Sequence, residues 1–152
     1  MNLKMKELFI KYHVTSKELA GEIVPPPFLK FLSIIKDKNS GEFTYRCWRR
    51  KQADFYDDDL PANENTNNRI HIEMDNYHDS LVVGYRLCRM ISNLLSKRKE
   101  TFHVFMNFTD DGHDCVKVSF YCSRKGYMDI LSPLDSYLNE GICLFEVNGI
   151  AL

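Results

Sequence analysis

From Tyr77 to Lys97 the apolar residues Leu81, Tyr85, Cys88, Ile91 and Leu95 recur at intervals of three and four, with Val82, Met90 and Leu94 beside them. That period belongs to a helix, so the segment predicts one long amphipathic helix whose apolar stripe must lie on an equally apolar surface. The surface follows directly in the chain. Phe102, Val104, Met106 and Phe108 stand at alternate positions, and Val116, Val118, Phe120 and Cys122 do the same after the turn residues 109–114, Thr-Asp-Asp-Gly-His-Asp. Two alternating runs across such a turn predict an antiparallel hairpin with one buried face. Asp75 and Asp79 at the start of the helix and Lys97, Arg98 and Lys99 at its end match the helix macrodipole, so part of the charge segregation along the chain has a structural cause.

Shorter elements surround this unit. Leu3, Met5, Leu8, Phe9 and Tyr12 have helical spacing, and Thr15-Ser16-Lys17-Glu18 is a capping-box pattern opening a second short helix that Pro25–Pro27 stops. Phe28 to Lys36 reads as a helix entered through proline and ended by Asn39-Ser40-Gly41. Glu42 to Arg50 alternates Phe43, Tyr45 and Cys47 with Thr44, Arg46 and Trp48, and Arg69 to Met74 alternates Ile70, Ile72 and Met74 with Arg69, His71 and Glu73; both predict strands. Ser132-Pro133 before Leu134, Tyr137 and Leu138, with Gly141 beyond, predicts a short capped helix, and Ile142 to Val147 a closing strand. The reading is an α+β fold of about five mostly antiparallel strands with helices packed mainly on one face. At 152 residues and 44% hydrophobic content, residues 1–152 form a single globular domain. A long loop at about 52–68 interrupts it, acidic and rich in asparagine.

The totals exclude several classes. A formal charge of −1 and a pI near 6.5 give no whole-molecule reason to expect nucleic-acid or membrane binding. The N-terminus lacks a continuous apolar stretch and does not read as a signal peptide, and no run approaches a membrane span. Five cysteines, with no CxxC spacing, suit reduced core thiols in a cytoplasmic protein. Neither GxGxxG nor GxxxxGK[ST] occurs, and the histidines and cysteines never fall at paired ligand spacing, so no cofactor and no metal are expected. Cys115 beside His113 and Asp114 is the only cysteine with a sequence-local base. Strand alternation turns it away from Asp114, and it reads with the other cysteines as a core filler.

What remains is charge. Between Asp54 and Asp79 stand eight carboxylates, Asp54, Asp57, Asp58, Asp59, Glu64, Glu73, Asp75 and Asp79, against the single arginine Arg69, with basic segments on either side. A concentrated acidic surface speeds encounter with a cationic partner and repels phosphates. Asp54, Phe55, Tyr56, Asp57, Asp58, Asp59, Leu60 and Glu64 combine carboxylates with aromatic and aliphatic anchors, as a partner-binding surface requires. The competing account is a solvated loop.

In size, reduced cysteines, mixed helix and strand order and acidic loop, the chain resembles the small immunity proteins with which bacteria neutralise toxins of contact-dependent and polymorphic systems. The resemblance is one of general character over the whole chain. It implies a non-enzymatic protein-binding inhibitor whose partner is a basic nuclease toxin domain. The alternative is a small hydrolase or nuclease. Alternation sets His71, His103 and Lys117 on one sheet face, where two histidines and a lysine could perform general acid-base cleavage of a phosphodiester. Against that stands the need of an antiparallel sheet covered on one side to face water on the other.

Overall fold

The computed structural model describes residues 1–22, 33–45, 59–112, 115–127, 129–131 and 133–150. Among them are helices α1 (Leu3–Lys11), α2 (Ser16–Ala20), α3 (Leu60–Asn67) and α4 (Tyr77–Leu95). The strands are β1 (Ile34–Lys36), β2 (Phe43–Tyr45), β3 (Ile70–Ile72), β4 (Phe102–Phe108), β5 (Val116–Cys122) and β6 (Gly141–Val147). This is a small α+β domain with mostly antiparallel strands in two sheets, as the sequence pattern predicts. The main sheet has the order β3-β5-β4-β6 and every pair in it is antiparallel; β1 and β2 form a separate hairpin.

The central unit forms for the reasons visible in the chain. Phe102 pairs with Cys122 and Asn107 with Lys117, so Phe102, Val104, Met106 and Phe108 share a face with Val116, Val118, Phe120 and Cys122. All eight are buried. The stripe Leu81, Cys88, Ile91 and Leu95 of α4 lies on that face, each residue fully buried. At Gly84 the helix comes so near that a Cβ would stand 2.6 Å from Val116 Cγ1. Asn76 caps the helix by accepting from the Asp79 amide at 2.8 Å.

Phe43 and Tyr45 of β2 complete the same face by edge-to-face contacts with Phe102 and Phe120, at centroid distances of 4.9 and 5.2 Å. Helix α1 packs against β6. It is anchored by buried Asn2, whose Oδ1 accepts from the amides of Met5 and Ile142 at 3.0 and 2.9 Å. The capping box at Thr15 is complete, with Thr15 Oγ1 accepting from the Glu18 amide and the Glu18 carboxylate accepting from the Thr15 amide.

Three sequence expectations change. Ile34–Lys36, the end of the helix expected over Phe28–Lys36, is a strand paired with β2, and the Asn39-Ser40-Gly41 stop is the turn between them, with Gly41 at φ 77°. The rest of that helix, and Arg46 to Arg50 of the expected strand, lie outside the described residues. The loop expected at about 52–68 is helical from Leu60 to Asn67. Asp59 caps it, accepting from the Ala62 amide at 3.1 Å, and Pro61 sits in its first turn, where a missing N–H costs nothing. The helix then buries polar residues, Asn63 and Glu64, in place of an apolar stripe, so periodicity gave no sign of it. Finally, the expected helix after Pro133 is a single 3-10 turn, Leu134–Ser136, and Gly141 opens β6.

Candidate functional site

The second face of the main sheet carries His71, His103, Lys117, Ser119 and Tyr121, as alternation predicts, but it is not open. Helix α3 covers the edge of β5 beyond the end of β3, and Ser119 Oγ donates to the Asn65 carbonyl at 2.6 Å. Phe105, Tyr121, Leu131 and Ile142 form a second, smaller core over the β4–β6 side. His103 is buried there. Its Nδ1 lies 2.7 Å from the Tyr121 hydroxyl and 3.5 Å from Asp129 Oδ1, in a cavity of about 170 Å³. Burial also pushes the Tyr121 phenol upward. His71, by contrast, is exposed and is the register partner of Lys117, whereas His103 is the partner of Tyr121. Four positions along β5 separate the two rows, roughly 13 Å at the rise of a strand. His71 and Lys117 therefore come together and His103 does not join them, so no single reacting atom lies within hydrogen-bond reach of both imidazoles.

A cavity of about 730 Å³ opens where β3 runs into α4. The connection that forms its rim is fixed by hydrogen bonds: the Met74 amide donates to Ser80 Oγ at 3.1 Å, and that hydroxyl donates to the Asn76 carbonyl at 3.1 Å. Glu73, Met74 and Asp75 on this rim are exposed, and among the described residues no ion pair reaches either carboxylate. Tyr12 and Tyr77, stacked edge to face at 5.4 Å, also line the cavity. Behind them the Tyr12 hydroxyl donates to Asp110 at 3.2 Å, and Lys11 pairs with the same carboxylate. Lys11 is the principal cause holding Asp110 below the ordinary carboxylate range.

His78 closes the side of the cavity toward α2. Its Nδ1 lies 2.8 Å from the Tyr12 carbonyl and its Nε2 2.9 Å from Glu18 Oε1. Both partners only accept, so the doubly protonated ring satisfies both, and the hydrogen bond to Tyr12, followed by that to Glu18, raises the His78 pKa. Glu18 is held down at about 2, first by the Thr15 hydroxyl and amide and then by His78.

The partner-binding residues expected from sequence divide. Asp54 to Asp58 lie outside the described residues. Asp59 is exposed but serves as the α3 cap, and Leu60 is half-buried. Glu64 is corrected outright, because it is fully buried and cannot belong to an outward surface. Its carboxylate accepts from the Phe43 amide at 2.8 Å and the Cys122 amide at 2.7 Å, and pairs with Arg124 at 2.5 Å. A buried charge needs such partners, and Arg124 lies sixty positions away.

Cys115 was expected in the core and is instead half-exposed on the cavity wall. Its Sγ lies 3.2 Å from His71 Nδ1. The base it meets is thus on β3, and only the β3–β5 register, which sequence reasoning did not supply, could have revealed the pair. His113 and Asp114 lie outside the described residues. Among the described residues no cluster of three or more His, Cys, Asp or Glu side chains could hold a metal, and no helix is long and apolar enough to cross a membrane. No family model matches the chain, and no curated protein or solved structure matches it.

Proposed function

We propose that this chain is a non-enzymatic binding protein that neutralises a cationic protein partner, in the manner of the small immunity proteins that disarm nuclease toxins. The observation that carries the proposal is the Glu73–Met74–Asp75 rim, two exposed carboxylates without a counter-ion among the described residues, set beside the tyrosine-lined cavity at the start of α4. Carboxylates around an aromatic floor suit a lysine or arginine side chain, which gains both charge pairing and contact with the ring faces. Asp59 is a further exposed carboxylate, at the head of α3, and acidic residues precede it in the chain. The separation of His71 from His103 weighs against the hydrolase alternative.

The test is co-expression with the product of the reading frame immediately upstream of its own. A stable stoichiometric complex is expected, together with survival of cells that the upstream product alone kills. Two variants, Glu73→Gln/Asp75→Asn and Asp57→Asn/Asp58→Asn/Asp59→Asn, should each weaken the complex and flatten the salt dependence of its association rate. Absence of a complex, or binding unchanged in both variants, overturns the reading.

A further inference from the structure

We propose that Cys115 and His71 form a reactive thiol site that undergoes disulfide exchange with small cationic disulfides in the cavity at the start of α4. The inference stands apart from the docking reading. It rests on geometry: a half-buried cysteine on the wall of a cavity of about 730 Å³, its Sγ 3.2 Å from an imidazole nitrogen. In the tautomer protonated at Nε2, His71 Nδ1 accepts the S–H and is placed to take its proton.

The other described cysteines show what an inert thiol looks like in this fold. Cys88 is fully buried and burial pushes its thiol well up; Cys122 and Cys143 are pushed up to about 11, again by burial. Thiolate is the nucleophile, so these three are silent near neutral pH. Cys115 alone among the described cysteines combines access with a base.

The exchange balances without an external oxidant. The Cys115 proton passes to His71 Nδ1, and the thiolate attacks one sulfur of the disulfide. A new S–S bond forms to Cys115 as the old one breaks, and the departing thiolate takes the proton back from the imidazolium. The products are a mixed disulfide on Cys115 and one free small thiol. Charge selects the reagent. Among the described residues, Glu73 and Asp75 stand on the β3 side, Lys117 opposite His71 and His78 on α4. His78 is already engaged by Glu18, so the cavity rim is net negative and favours a cationic disulfide over an anionic one.

Cystamine and glutathione disulfide, applied separately to the full chain, test this by peptide mapping of the adducts over time. Cys115 should be modified first, at least about tenfold faster than Cys88, Cys122 or Cys143. Cystamine should react several-fold faster than glutathione disulfide at low ionic strength, and the preference should shrink at about 0.5 M salt. His71→Ala should slow the reaction about tenfold near pH 7, because the base that takes the Cys115 proton is gone. Modification of Cys88, Cys122 or Cys143 before Cys115, an equal rate in the variant, or no preference between the two reagents would overturn the proposal. Should His71→Ala fail to fold, His71→Asn takes its place: a rate equal to that of the wild type refutes the assisted thiol, and a rate about tenfold slower supports the pair.

Discussion

The acidic segment has two ends with opposite fates. At its α3 end Glu64 is sealed in the protein, clamped by Arg124 and two backbone amides; at its α4 end Glu73 and Asp75 stand in solvent at the rim of a cavity. Equal formal charges therefore do unequal things. The first holds elements together, joining β2, α3 and the end of β5, and contributes nothing to an outward field. The second contributes to the field and holds nothing.

Removing each group should sharpen that contrast. Glu64→Ala strands the Arg124 guanidinium and the amides of Phe43 and Cys122, and is expected to cost about 3–5 kcal/mol in urea-monitored unfolding, the range for breaking a buried ion pair. A loss below about 1 kcal/mol would break the comparison by making Glu64 no more structural than a surface acid.

Glu18 is the intermediate case, a half-buried carboxylate that ties α2 to α4 through His78. His78 has a raised pKa, so its stabilising contribution is complete below the ordinary histidine value of 6.5 and fades as pH rises through the folded value. Glu18, held at about 2, contributes fully above its ordinary value of 4.5, and that contribution fades as pH falls toward 2. The pair is therefore most stabilising between about pH 4.5 and 6.5. His78→Gln should flatten the pH dependence of stability across the upper edge of this window; a profile identical to the wild type removes the latch. Smallest of all, Glu73→Gln/Asp75→Asn should leave stability within about 0.5 kcal/mol, as expected for surface groups with no ion pair among the described residues. A larger change would show that the rim carries structure after all.

The same contrast explains what sequence reading could reach. Helix α4 and the β4–β5 hairpin were legible because their hydrophobic periods are local and each period has one structural meaning. The helix α3 was not, since it buries Asn63 and Glu64 in place of an apolar stripe, and Glu64 and the C-cap Asn68 bond to groups distant in the chain. The expectation that Glu64 faces outward failed for the same reason, because its counter-charge is sixty residues away. His71 beside Lys117 and His103 beside Tyr121 were correctly set on one face, but alternation carries no information about distance along that face. Cys115 shows the complementary error: strand alternation turned it from its chain neighbour Asp114 and suggested an inert filler, and its neighbour in space is a histidine.

The bare α-carbon of Gly84 acts as a rotational detent. With Val116 Cγ1 occupying the space a side chain would need, turning α4 about its axis by one residue would drive Val83 or Tyr85 into β5, so the helix has a single azimuth on the sheet. Tyr77 and His78 lie two turns upstream on the same rigid rod, and the bearing of both toward the cavity is inherited from a contact that neither of them makes.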